Sequence, residues 1–283
     1  MTLSQHLKTI FIFCWFCYGG VSSIASAMAD DATLSIAEVV WVQQMDDKNH
    51  IRHAKFDGEQ WEQTSTSLYS SDSPLTNPTI NTKSNGDRLL IWVEQIKNRT
   101  ALKQMTGHYL HATSQSNPRK QNGDHIWSVA SVLSNFRLEN FAPSVVVDAK
   151  QRFWVVWASS NSTQSDIFMI RELGNEWSSP VQVNPDNLTP DMRPIVNTDI
   201  AGNICVVWSG FDRAILEFTE NSAFYSLEGN RLDAASLDHA QALEVHNHKE
   251  HSLSSIKDPD FLPSQSRILV HFPQNTLIQS ISR

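Results

Sequence analysis

The stretch "APSVVVDAKQRFWVVWASS", residues 142–160, decides the fold. It reads as strand, turn, strand: two apolar runs joined by Asp148-Ala149-Lys150-Gln151. The run Phe153-Trp154-Val155-Val156-Trp157 does not alternate with polar residues, so the sequence predicts a strand covered on both faces.

The hairpin recurs. "NPTINTKSNGDRLLIWVEQ" begins at Asn77 and "RPIVNTDIAGNICVVWSG" at Arg193. In each copy a proline leads an apolar strand and a tryptophan follows fourteen residues later: Pro78 to Trp92, Pro143 to Trp157, Pro194 to Trp208. A third landmark comes after the hairpin. Trp41 to Trp61 and Trp157 to Trp177 both span twenty residues, with Gly58 and Gly174 three residues before the second tryptophan. Trp127 occupies the same place in the unit that begins at Pro78, after an insertion around Ala101–Asp124. The unit is about 51 residues long, the spacing from Trp41 to Trp92 and from Trp157 to Trp208.

Each unit reads as four short strands: Pro-led, Trp-ended, an "IFMIREL"-type strand, and Trp-opened. Units of this size, made of four antiparallel strands, are blades of a β-propeller. Inner blade strands lie between neighbouring blades, which accounts for the continuous apolar runs. The predicted fold is therefore all-β, a propeller domain over residues 30–283. Trp41, Trp92, Trp157, Trp208 and Phe272 count five blades, with residues 30–36 supplying the strand that the last blade lacks. An open or six-fold arrangement and a β-sandwich are the alternatives. The regular tryptophans are read as core between blades rather than as an aromatic ligand cage, because a ligand site would break the repeat.

Residues 1–29 have the layout of a secretory signal peptide: Lys8, the apolar run Ile10–Cys17, then Ala25-Ser26-Ala27. The strongly apolar run is shorter than the roughly 20 residues of a spanning helix. Periplasmic or secreted bacterial localisation is expected, with no membrane span after signal removal. The net charge of −8 argues against nucleic acid as a partner. Cys205 is the one cysteine outside residues 1–29, so no intrachain disulfide is expected, and its apolar strand marks it as an inert thiol.

Residues 35 to the end resemble bacterial propellers of the sialidase-like, BNR-repeat type. "APSVVVDAKQRFWVVW", "DIFMIRELGNEWSSPVQV" and "RPIVNTDIAGNICVVW" carry the resemblance. Asp boxes survive only as the remnants "FDGEQW" (56–61), "NGDHIW" (122–127) and "LGNEWSS" (173–179), without their Ser-x-Asp start. The resemblance implies three arginines on a substrate carboxylate and a tyrosine activated by a glutamate. The sequence assigns neither: Tyr225 has Glu228 nearby, whereas Tyr69 has no glutamate close in sequence.

Ligands of propellers meet the face built by the loops entering each first strand and leaving each second strand. Those loops carry Asn77, Asn140, Lys257, Asp258, Glu94 and Asn161, and offer Arg137, Glu139, Asp191, Arg193, Asp212 and Arg213 as the candidate ligand-binding residues. His239, His246, His248 and His251 match no recognised zinc spacing and read as a hydrophilic loop, so neither metal nor cofactor is expected. The expected function is a non-enzymatic module that binds or scaffolds protein or glycan. The alternative is a sialidase-like glycoside hydrolase or polysaccharide lyase, which would gather carboxylates or a Tyr–Glu pair at one site. A multivalent lectin ranks behind both.

Overall fold

Apolar runs that must be buried on two faces settle into sheets stacked face to face. The computed structural model describes residues 37–56, 61–63, 67–109, 125–134, 139–162, 164–199, 201–233, 268–271 and 279–281. The signal-peptide reading of residues 1–29, the closing strand expected at 30–36 and the histidine loop lie outside them.

The first sheet holds β1 (Ala37–Met45), β2 (Lys48–Phe56), β3 (Trp61–Gln63) and β4 (Tyr69–Ser71). The second holds β5 (Leu75–Thr82), β6 (Arg88–Ile96), β7 (Arg99–Tyr109), β8 (His125–Trp127) and β9 (Ser131–Ser134). The third holds β10 (Glu139–Val147), β11 (Phe153–Ser160), β12 (Ser165–Leu173), β13 (Glu176–Trp177) and β14 (Val181–Gln182). The fourth holds β15 (Asp191–Thr198), β16 (Ile204–Asp212), β17 (Glu217–Tyr225) and β18 (Arg231–Leu232). Finally β19 (Ile268–His271) pairs with β1, and β20 (Gln279–Ile281) with β19. All these pairings are antiparallel, and the fold is the all-β propeller class that the repeat predicts.

Four sheets form among the described residues. The core of the run "RILVHF", β19, does not found a separate sheet as its tryptophan-type strand; it pairs with β1 in the first sheet, along the edge that a Pro-led strand takes in the other sheets. A short apolar strand carries no mark of which edge it joins, so spacing alone misplaced it. Two smaller corrections follow from pairing. The Trp-ended strands run on past tryptophan to Ile96, Ser160 and Asp212. The expected insertion at Ala101–Asp124 begins inside β7, which is strand to Tyr109.

Every residue of β11 is buried, as the opening stretch demands. Its turn forms over Asp148–Arg152, with Gln151 at φ +60° and the Asp148 carboxylate accepting from the amides of Lys150 and Arg152. The tryptophans sit in the seams between sheets. Trp92 packs with Val40 and Ile51 of the first sheet, Trp157 with Leu89 and Ile91 of the second, and Trp208 with Val156 and Met169 of the third. Trp177 and Trp127 pack against the same seams from the outer strands.

The residue before each blade proline is left-handed: Asn77 at φ +50°, Ala142 at +49° and Arg193 at +55°. A bulge in the inner strand accompanies each one. Side chains cost about 1–2 kcal/mol in this region, so the surrounding sheet must over-determine the conformation. The bulge fixes how the residue three before the proline meets its own blade's tryptophan. Asn140 Oδ1 accepts from Trp157 Nε1 at 3.1 Å, and Asp191 Oδ1 from Trp208 Nε1 at 2.8 Å.

The same two residues tie each blade to the one before it. Asn140 Nδ2 donates to the Thr100 carbonyl, and Asp191 Oδ2 accepts from Asn184 Nδ2. At the opposite end of the seams, Lys83 pairs with Glu172 at 2.7 Å and Lys150 with Glu228 at 2.8 Å.

Trp157→Ala is expected to cost about 3–5 kcal/mol, read as a lowered midpoint in urea unfolding. Asn140→Leu, which keeps volume but strands the buried indole N–H, is expected to cost about 1–3 kcal/mol in the same measurement.

Candidate functional site

The third and fourth blades use one design at the entry to the inner strand, and the second blade departs from it. The position three residues before the proline is Asn140 and Asp191 in two blades but Leu75 in the other. Leu75 is buried and packs against Trp92, whose Nε1 is fully enclosed and has no hydrogen-bond partner. The position two residues after the tryptophan is Ser159 and Gly210 in the regular blades. Ser159 Oγ joins Trp157 in donating to Asn140 Oδ1. At Gly210 a Cβ would lie 2.6 Å from Asp191 Oδ1 and 2.7 Å from Asn221 Nδ2, so only glycine leaves room for the cap. In the second blade this position is Glu94.

Glu94 is 7 % exposed and stands at the end of β6. Its carboxylate gathers groups from two sheets. Ser71 Oγ donates to Oε1 at 2.7 Å and Tyr69 Oη to Oε2 at 3.1 Å, both from β4 of the first sheet. Lys103 Nζ, on β7 beside it, lies 3.7 Å from Oε2. The Tyr69 ring lies against Trp92, centroids 4.6 Å apart, so indole packing orients the phenol. Burial, with the Glu94 charge next, raises the Tyr69 hydroxyl above the ordinary tyrosine range. The phenol therefore keeps its proton at neutral pH and presents it to the carboxylate.

A second polar group lies at the same end of the next seam but one. Asp166 Oδ1 accepts from Gln164 Nε2 and Asn184 Nδ2, both at 3.1 Å, and Asn184 Nδ2 also reaches Asp191. Asp191 and Asp166 are both buried. Burial raises the Asp191 carboxyl above its usual range; the Asp166 charge adds to this, and the bonds from Trp208, Asn187 and Asn184 oppose it. Its oxygens are engaged by those donors, which makes it first a packing residue.

The residues singled out from sequence fall as follows. Arg137 lies outside the described residues. Glu139 is exposed at the start of β10, and Arg193 is exposed at its left-handed position on β15. Asp212 is half-buried and accepts from the Ala214 amide; exposed Arg213 donates to the Leu188 carbonyl at 2.6 Å. Asp191, Arg193, Asp212 and Arg213 thus share one end of the fourth sheet, where β15 begins and β16 ends. The Tyr69–Glu94 pair was not assembled from sequence, because its members stand 25 residues apart in different blades. The signal was present in the repeat all the same: the column two after tryptophan reads Gln43, Glu94, Ser159, Gly210.

Burial pushes the Cys205 thiol up to about 12, in line with an inert buried sulfur. Among the described residues no group of three or more His, Cys, Asp or Glu is arranged to hold a metal ion. No helix among them is long and apolar enough to cross a membrane, which says nothing of a β-barrel.

No family model and no curated protein matches this chain. Solved structures do. An endo-arabinase from Bacteroides thetaiotaomicron is 10 % identical with a TM-score of 0.46, the match covering 88 % of this chain and 94 % of that one. A GH93 alpha-L-arabinofuranosidase of Fusarium graminearum is 11 % identical at 0.39, covering 71 % and 69 %. An endo-1,5-alpha-L-arabinanase from Thermotoga petrophila is 13 % identical at 0.33, covering 71 % and 57 %. The expectation of a non-enzymatic binding or scaffolding module is not borne out: these three structures are named as an arabinase, an arabinofuranosidase and an arabinanase. At these identities and TM-scores the likeness assigns no substrate and no residue role to this chain.

Spectrophotometric titration of the tyrosines checks the pair directly. The component lost in Tyr69→Phe should titrate above the ordinary midpoint of about 10. Glu94→Gln, by removing the neighbouring charge, should bring that component down.

Proposed function

We propose that this chain is a carbohydrate-active enzyme of the glycoside hydrolase type, working at the seam between the first two blades. One observation carries the reading. A phenol hydroxyl is held 3.1 Å from a buried carboxylate at a blade entrance where the cap used by the third and fourth blades has been replaced. Structural repetition supplies the packing, and departure from it marks the place where other demands act on the sequence.

The chemistry available there is proton transfer. Glu94 can take the Tyr69 proton as the phenol oxygen, or a hydroxyl or water in its place, bonds to an anomeric carbon; the glycosidic bond at that carbon breaks, and its oxygen departs as the alcohol, taking up the proton by way of water. Lys103 lies beside the carboxylate oxygen that receives the proton, and Ser71 holds the other oxygen in position. A tyrosine paired with a glutamate is also what the sialidase-like resemblance implies, so sialylated glycans belong among the trial substrates. Export, read from residues 1–29, would place the enzyme with extracellular glycans.

The test is release of reducing sugar or reporter from a panel of glycosides and polysaccharides, arabinan, xylan and sialyllactose included. Glu94→Gln and Tyr69→Phe are each expected to lower the rate by about 10²–10⁴, with folding confirmed by circular dichroism. Failure of the wild-type chain to cleave any substrate, or undiminished turnover in both variants, would overturn the proposal.

A further inference from the structure

The entrance to the inner strand is built from three positions that act together: the residue three before the proline, the tryptophan, and the residue two after it. Strand pairing sets the first opposite the third: Asn140 with Ser159, Asp191 with Gly210, and Leu75 with Glu94. The backbone is alike in the three blades, each with a bulge after the first position and a left-handed residue before its proline.

In the third blade Asn140 engages both of its neighbours. Its Oδ1 accepts from Trp157 Nε1 and from Ser159 Oγ, each at 3.1 Å. In the fourth, Asp191 Oδ1 takes the Trp208 N–H at 2.8 Å and lies where a side chain at 210 would have to go. Leu75 is 4 % exposed and belongs to the same packing cluster as Trp92, but its side chain has neither a donor nor an acceptor. The residues on either side of it respond accordingly. The Trp92 N–H is left without an acceptor. The Glu94 carboxylate receives no hydrogen bond from the side chain it faces, and is met by Ser71 and Tyr69 of the first sheet.

We propose that Leu75 is a positioning residue for the Tyr69–Glu94 pair: an apolar side chain opposite Glu94 leaves both carboxylate oxygens to donors from across the seam. An amide in this place would cap the indole with its oxygen, as Asn140 does, and turn its nitrogen toward the carboxylate, in competition with the phenol. A buried donor left unpaired is costly, and here the cost falls beside the carboxylate that Tyr69 uses. As regards catalysis the inference rests on the role proposed for Glu94; the hydrogen-bond geometry stands without it.

The experiment compares Leu75→Asn with Leu75→Met in the full chain, with folding checked by circular dichroism. Burial, and then the Glu94 charge, raise the Tyr69 hydroxyl, so a phenol that loses its carboxylate partner titrates lower. In Leu75→Asn the Tyr69 component, identified by its loss in Tyr69→Phe, should move down toward the ordinary midpoint of about 10. The Trp92 indole proton should move downfield in the NMR spectrum, toward those of Trp157 and Trp208. In Leu75→Met, which keeps an apolar chain of similar volume, neither should move. Because asparagine in this buried place can itself prevent folding, the wild-type indole protons are the second readout: that of Trp92 should resonate upfield of the other two. A Tyr69 midpoint unmoved by asparagine, one moved as far by methionine, or a wild-type Trp92 proton lying with the two capped ones would overturn the assignment. Neither titration nor spectrum needs a substrate, so a chain that cleaves no glycoside refutes the proposed activity and leaves these readouts to decide the role of Leu75.

Discussion

The structure depends on satisfying a buried indole. Each described seam between sheets is filled by a tryptophan ring, and leaving its buried N–H without an acceptor is costly. The third and fourth blades meet that demand with one side chain, Asn140 or Asp191, which accepts from its own blade's tryptophan and bonds to the blade before. Hydrophobic packing and register are thereby coupled: the ring cannot be buried without setting where the next inner strand begins. The left-handed residue and bulge ahead of each proline are the backbone's accommodation to that coupling.

Against this pattern the second blade is informative. Leu75 keeps the packing and abandons the cap, and Glu94 enters where serine or glycine stands in the third and fourth blades. A carboxylate so enclosed must be met by donors, and the ones that meet it come from the preceding sheet rather than from its own strand. A site formed this way inherits rigidity from both blades and needs no loop to order around it. The Trp92–Tyr69 contact extends the argument: the ring that seals the seam also aims the phenol.

The seams carry charge as well as indoles, and the ion pairs differ in burial. Lys150–Glu228 is solvent-exposed and contributes little beyond orientation. Lys83–Glu172 is more enclosed and sits under the Phe153 ring. Glu38–Arg88 is buried outright, where an ion pair contributes specificity more than stability and where any change of charge is costly. The first seam thus holds both the departure from the repeat and the most strongly buried electrostatics among the described residues.

The class of fold was legible residue by residue. A fixed interval from proline to tryptophan, with unbroken apolar runs such as Phe153–Trp157, follows from burial on both faces, and burial is written residue by residue. The chain also marks the tryptophans as core, since a period imposed by packing repeats wherever packing does. The pairings between distant segments emerged only from the packing of the folded chain. The run at 268–271 carries no local mark of its partner, and joined β1 rather than founding a fifth sheet. Tyr69 and Glu94, like Glu38 and Arg88, meet across a seam, and contacts made across seams are set by how whole sheets stack rather than by any spacing along the chain.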